Sequence, residues 1–378
     1  MSEPAKDDYA LKADAPVRTV AAPELPYRPR DPEGYRPKIG MIGCGGITQH
    51  HLTAYRNAGY DVVAFYDLRR EQAEKRRDAF YPDATVYDSP EDLLARDDIE
   101  VVDIATHPAP RVALIEAALD ARKHVLSQKP FVVDLDTGAR LADRADAQGV
   151  RLAVNQNGRW SPHHAYLREA VRRGILGDLV AAHIAIHWDH TWVRGTPFEE
   201  IREVILYDFS IHWFDFLCTL LGDRPMTRVF ATRSHAAGQT IRPPMLAQCL
   251  VSFEGGQASL VFDAHVPFGA QDATYLGGTR GTLTSVGPNL GEQTVTLVTA
   301  EGVATPSLEG TWFPDGFHGT MAELLCAIAE GREPQNSARN NLKSLGLCFA
   351  AIASATDGTP KTPGSVRRLP PGSAPGVE

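Results

Sequence analysis

The sequence predicts an α/β domain built on a parallel sheet, followed by an α+β domain with a mostly antiparallel sheet. Three observations carry that reading. From Lys38, short apolar runs alternate with amphipathic stretches at the spacing of βαβ units. The first run leads straight into a glycine-rich turn, Gly43-Cys44-Gly45-Gly46. After about residue 175 the alternation gives way to a succession of strand-like runs.

Taken in order, residues 1–36 read as an arm. Prolines at 4, 16, 23, 26, 29 and 32 recur among mixed charges with no sustained apolar period, so the segment is either a disordered tail or an extended strip across the body or a partner subunit. Residues 37–156 form the first domain. Strands at KIGMIG, DVVAFYD, EVVDIAT, HVLSQ and RLAV are separated by helical stretches at 47–58, 70–80, 111–121 and 134–148. Ser89-Pro90-Glu91-Asp92 is a helix start, with a capping serine, proline in first position and acids in the first turn. Residues 157–364 form the second domain, with strands at 179–192, 226–235, 246–254, 257–265, 272–286 and 293–299. A strongly apolar helix at 203–221 lies among them, and helices near 316–330 and 339–356 close it. Glu254-Gly255-Gly256-Gln257 reads as a hairpin turn. The Pro/Gly-rich residues 365–378 read as a loose tail.

Composition narrows the function. The 378 residues suffice for two cores, and 43% hydrophobic with 22% charged residues is ordinary globular usage. A net charge of −9 argues against a nucleic-acid partner. No apolar run approaches the roughly 20 residues that span a bilayer, so no membrane partner is expected. Five scattered cysteines without metal spacing, and no basic-then-apolar leader, fit reduced thiols in a cytoplasmic protein.

The glycine turn carries the first chemistry. It follows an apolar strand, opens a helix near Ile47, and is followed by an acid, Asp67, at the end of the second strand. Gly43 makes the tight turn, and Gly45, with Gly46 beside it, lets backbone approach a pyrophosphate. The helix start then offers free N–H groups to the phosphates, which is the dinucleotide site of a Rossmann domain. Asp67 accepts from ribose hydroxyls and repels a 2′-phosphate, favouring NAD; Arg69 and Arg70 beside it leave NADP open. Thr48 stands where a third glycine or alanine is usual.

A polar stripe in the apolar helix carries the second. Asp208, His212, Asp215 and Thr219 recur at spacings of 4, 3 and 4, on one helical face. Buried carboxylates and imidazoles need partners, so the stripe lines a cleft or joins a structural network. An aspartate one turn before a histidine suits general base work.

These residues resemble the Gfo/Idh/MocA oxidoreductase family, glucose–fructose oxidoreductase and inositol dehydrogenase among its members. Gln128-Lys129-Pro130 is similar to its Glu-Lys-Pro motif, Asp208-x-x-x-His212 to its Asp-x-x-x-His helix, and Arg159-Trp160-Ser161-Pro162 to the step into its second domain. The resemblance implies an NAD(P) Rossmann domain, an open-faced sheet domain through which subunits associate as a homodimer or homotetramer, and oxidation of a secondary alcohol on a sugar or polyol. It makes His212 the general acid/base, Asp208 its support or a substrate ligand, and Lys129 the stabiliser of developing charge on the substrate oxygen. Gln128 in place of the usual glutamate keeps a hydrogen bond to the nicotinamide ribose. Thr106-His107-Pro108 stands at the family's cofactor-contacting turn, with Arg111 following it. Arg159, His187 and Asp189 are the expected substrate ligands, the last two from one face of the strand 180–192, with Trp188 and His190 on the other. His163 and His164 read as surface residues at a helix start, and no metal is expected. Two rivals use the same residues differently: a redox-neutral lyase, hydrolase or epimerase working through transient oxidation, and a non-enzymatic sensor of cofactor or sugar.

Overall fold

The computed structural model describes residues 18–377. The first unit runs β1 (Lys38–Ile42), α1 (Thr48–Asn57), β2 (Asp61–Tyr66), α2 (Arg70–Phe80), β3 (Thr85–Val86), α3 (Pro90–Leu94), β4 (Ile99–Ile104), α4 (Pro108–Asp120), β5 (His124–Gln128), α5 (Leu135–Gln148) and β6 (Leu152–Asn155). Its six strands are all parallel in the order β3-β2-β1-β4-β5-β6. That order reverses direction between β1 and β4, which opens a crevice at their carboxyl ends. The strands are apolar because helices cover both faces; in β4 only Glu100 is exposed. Local signals are used as the sequence implies. Ser89 accepts the Asp92 N–H at 3.1 Å to start α3, and Asp134 caps α5 through the N–H groups of Asp136 and Thr137.

The second unit continues with α6 (Pro162–Arg172), β7 (Leu179–His187), α7 (Ile211–Leu221), β8 (Met226–Ser234), β9 (Leu246–Phe253), β10 (Gly256–Asp263), β11 (Gln271–Gly278), β12 (Gly281–Asn289), β13 (Glu292–Thr299), β14 (Gly302–Ala304), α8 (Asp315–Ala329) and α9 (Ala338–Asp357). The eight strands order as β14-β13-β12-β11-β7-β10-β9-β8, antiparallel except for the β7–β10 pair. Ala182, Ile184 and Ile186 of β7 turn to the buried face, against which α7 and α9 pack. The opposite face is open and carries exposed Leu250, Tyr275, Val286 and Val298.

Several expectations need correction. The run 272–286 is two strands, β11 and β12, because Gly278-Thr279-Arg280-Gly281 is turn chemistry set inside a β-rich stretch. The tail is not loose: Leu369 is buried and donates its N–H to Val133 at 2.8 Å, while Ser373 accepts from the Glu203 N–H at 3.0 Å. The split at 157 is not a clean one either. Phe317, Met321, Leu324 and Leu325 of α8 share a core with Ile39, Met41 and Leu52 of the first unit. Of the arm, residues 1–17 lie outside the described residues. Residues 18–36 lie along the protein's own body. Thr19 pairs with Val303 at the edge strand β14, Tyr166 donates to the Pro23 carbonyl at 3.0 Å, and Asp31 accepts from Tyr60 and His318.

One buried acid is out of balance. Asp272 on β11 is 1% exposed and neither carboxyl oxygen has a partner among the described residues. Burial pushes its pKa up to about 7. A folded-state pKa above the unfolded one means the fold favours the neutral acid, so stability is lost as pH rises from about 4 towards 7. Asp272→Asn is expected to raise Tm at pH 8 by roughly 3 °C or more and to change little at pH 4. Thermal unfolding at the two pH values checks this, and an unchanged Tm at pH 8 would reject it.

Candidate active site

At the carboxyl end of β1, Gly43 takes φ +90°, and a Cβ there would meet the Ala105 carbonyl at 2.9 Å. Only glycine permits that approach of the two strand ends. Gly45 and Gly46 have open space where side chains would stand, the cradle a pyrophosphate needs, and α1 begins at Thr48 immediately after Ile47. Asp67 accepts the Cys44 N–H at 2.7 Å and the Arg69 N–H at 2.9 Å, one on each oxygen. Each oxygen keeps lone-pair capacity for a ribose hydroxyl. Arg70 is turned away, held by Glu74 and Asp88. These residues fit a dinucleotide.

Across the crevice, the ends of β4 and β5 are tied together by Arg111. Its buried guanidinium donates to the carbonyls of Thr106, Gln128 and Pro130, and burial lowers its pKa to about 10. Arg111 therefore holds the two turns in place and is not available to an acidic ligand. Pro108 opens α4. Gln128 departs from its expected role. Its carboxamide faces inward, with Oε1 accepting the Lys129 N–H at 2.7 Å and Nε2 lying 3.2 Å from His51 Nε2. His51 in turn meets Asp103 at 2.7 Å through Nδ1, so Gln128 is part of a buried network and not a free ribose ligand.

The apolar run 203–221 is interrupted. Val204–Phe209 forms a π-helical turn, and α7 starts only at Ile211, with Ser210 bonding back to the Ile205 carbonyl through both N–H and hydroxyl. Such turns re-aim side chains at functional sites. Here Asp208 is delivered to Lys129, whose Nζ donates to the Asp208 carbonyl at 3.0 Å and to Oδ2 at 3.2 Å, with both side chains partly accessible. His212 stands on the first turn of α7. Burial, then the Lys129 charge, hold its pKa well below the usual histidine range. Its Nδ1 has no partner among the described residues. Trp312 packs edge-on against its ring at 5.5 Å.

The rest of the stripe is structural. Asp215 and Arg159 form a buried bidentate pair at 2.5 and 2.6 Å, so Arg159 is withdrawn from substrate contact. Thr219 bonds its own helix at Phe216. His163 and His164 are buried, at 2% and 0% exposure, rather than surface residues; α6 packs inward from its first turn.

At and just past the end of β7 the expected substrate ligands, His187 and Asp189, face away from the candidate site. His187 points to the open face and pairs with Asp263 at 2.9 Å, and Asp189 caps the Thr191 N–H at 3.0 Å. Trp188 and His190 are the residues that turn inward, both packing on Phe209 beside Asp208. Burial drives the His190 pKa down to about 4, and the nearby Asp208 and Lys129 charges act on it in opposite directions. The sequence held the signal. Ala182, Ile184 and Ile186 mark the even positions as the buried set, and Trp188 and His190 continue it.

Comparison with known proteins identifies both units. Residues 37–156 match the oxidoreductase family with an NAD-binding Rossmann fold, and residues 164–284 match the GFO/IDH/MocA C-terminal domain. The chain belongs to the GFO/IDH/MocA family. It is 28% identical over 345 residues to a D-apiose dehydrogenase of Paraburkholderia graminis, covering 85% of this chain and 88% of that protein. It is 25% identical over 330 residues to an inositol 2-dehydrogenase of Rhizobium meliloti, covering 85% and 97%. Its fold resembles an oxidoreductase from Agrobacterium radiobacter solved with NAD+, L-tartaric acid and magnesium (TM-score 0.79, 20% identity, 88% of this chain and 99% of that one). It also resembles levoglucosan dehydrogenase solved with NADH and levoglucosan (TM-score 0.76, 18% identity, 87% and 100%). The first unit of this GFO/IDH/MocA chain is thus the family's NAD-binding Rossmann domain.

The Arg159–Asp215 pair generates a stability prediction. Removing the carboxylate strands a buried guanidinium, so Asp215→Ala is expected to destabilise the fold by about 3–5 kcal/mol. Urea unfolding measures it, and a loss below about 1 kcal/mol would mean that Asn340 and the Gln335 carbonyl satisfy the arginine unaided.

Proposed function

We propose that the chain oxidises a secondary alcohol of a sugar or polyol, with NAD as hydride acceptor. The observation that carries this is the contact of Lys129, from the end of β5, with Asp208 of the π turn, with His212 following on the first turn of α7. When bound, NAD supplies the electron-accepting ring. His212, held neutral by its surroundings, takes the hydroxyl proton on a ring nitrogen. The Lys129 ammonium stabilises the alkoxide as it develops, and Asp208 keeps that ammonium aimed. Trp188 and His190 contribute an aromatic wall and a polar ring edge for a hydroxylated substrate. The Asp67 carboxylate and the engaged Arg70 favour NAD over NADP. Names of relatives that act on apiose and inositol support a polyhydroxylated substrate.

The test is nicotinamide absorbance with NAD or NADP and a panel of polyols, aldoses, inositols and glycosides. Reduced NAD is expected with one class. No accumulation, with NAD released on denaturation, would instead support a redox-neutral cycle. With the active substrate, His212→Ala and Lys129→Met are each expected to lower kcat by roughly 100-fold or more. Full activity in either variant would remove that residue from the chemistry. The exposed apolar residues of the open sheet face support a homodimer or homotetramer. Light scattering is expected to give two or four times 41.2 kDa, and Leu250→Glu to shift it towards one.

A further inference from the structure

The glycine loop is held from behind by a residue outside the dinucleotide fingerprint. Arg76 on α2 donates through Nη2 to the Gly45 carbonyl at 2.9 Å and the Gly46 carbonyl at 3.3 Å, and through Nε to Thr48 Oγ1 at 3.2 Å. Thr48 Oγ1 itself donates to the Gly45 carbonyl at 2.7 Å. A planar trans peptide sends its N–H opposite to its carbonyl. With the carbonyls of Gly45 and Gly46 turned to Arg76, the N–H groups of Gly46 and Ile47 face the other way. These are donors that an anion at the start of α1 takes up. The threonine in the place of the third glycine joins this clamp through its hydroxyl.

The guanidinium also lacks an ion-pair partner among the described residues, whereas its neighbours Arg70 and Arg77 are paired with Glu74, Asp88 and Asp78. Its charge reaches the loop and helix α1, acting on Cys44 and His50.

We propose that Arg76, acting with Thr48, is a positioning residue for the cofactor diphosphate: it fixes the loop's peptide planes and adds a positive charge behind them. The proposal rests on the NAD reading of the Rossmann domain. It is tested by titrating purified wild-type protein and the Arg76→Met, Arg76→Lys and Thr48→Val variants with NADH, followed by nicotinamide fluorescence at low and high salt, with circular dichroism to verify folding. Arg76→Met is expected to raise the NADH Kd roughly ten-fold and to flatten its salt dependence. Arg76→Lys is expected to restore the salt dependence and only part of the affinity, because an ammonium cannot span both carbonyls and the hydroxyl. Thr48→Val, which deletes the hydroxyl alone, is expected to raise Kd roughly three-fold. Wild-type NADH affinity in folded Arg76→Met would overturn the proposal. A failure of the wild type itself to bind NADH would remove the NAD reading and the proposal with it.

Discussion

The site depends on one buried ion pair. Arg159 leaves the helical step after β6 and meets Asp215 on α7, and the same guanidinium bonds Asn340 of α9 and the Gln335 carbonyl. Ser344, also on α9, gives its hydroxyl to Asp215 at 2.7 Å. Desolvating two charges is expensive, and only this degree of hydrogen bonding offsets it. The geometric return is specific: a bidentate fork fixes direction as well as distance. It pins α7 against the exit from the first sheet, and His212 lies less than one turn along α7 from Asp215.

With α7 fixed, the π turn supplies the adjustment. A continuous α-helix would stack Asp208 directly over His212 on one face. The extra residue per turn moves Asp208 round to meet Lys129, 79 positions away in sequence, and leaves His212 beside Trp312. The candidate site thus draws residues from both units. Arg111 sets the Lys129 turn from below and the π turn brings the carboxylate from above.

The sequence made the fold legible because its signals are periodic and local. Apolar strands, glycine at the β1 turn, capping Ser89 and the two sheet textures each follow from nearest-neighbour physics. The parts of the candidate site that stand out in the sequence are those where local chemistry is forced: a loop that only glycine can make, and an aspartate and histidine in an apolar run. It was not legible where a choice between two equivalent answers depended on distant packing. Period 2 separates His187 and Asp189 from Trp188 and His190 but leaves the inward set to be decided by the helix that covers the sheet. Arg159 next to Trp160 carries no mark that its partner is Asp215, 56 residues on. Gln128 reads as a ligand until His51 is found beside it. Side chains whose partners lie far along the chain are assigned by tertiary structure.

The return of α8 to the first unit has a consequence for how the protein is made. The apolar side of β1 and α1 is sealed by Phe317, Met321, Leu324 and Leu325, which leave the ribosome about 260 residues after the end of α1. Through most of translation the nucleotide-binding half is a sheet with one flank bare. Its core is complete only once α8 has been made, so the first unit takes part of its own packing from the far end of the chain.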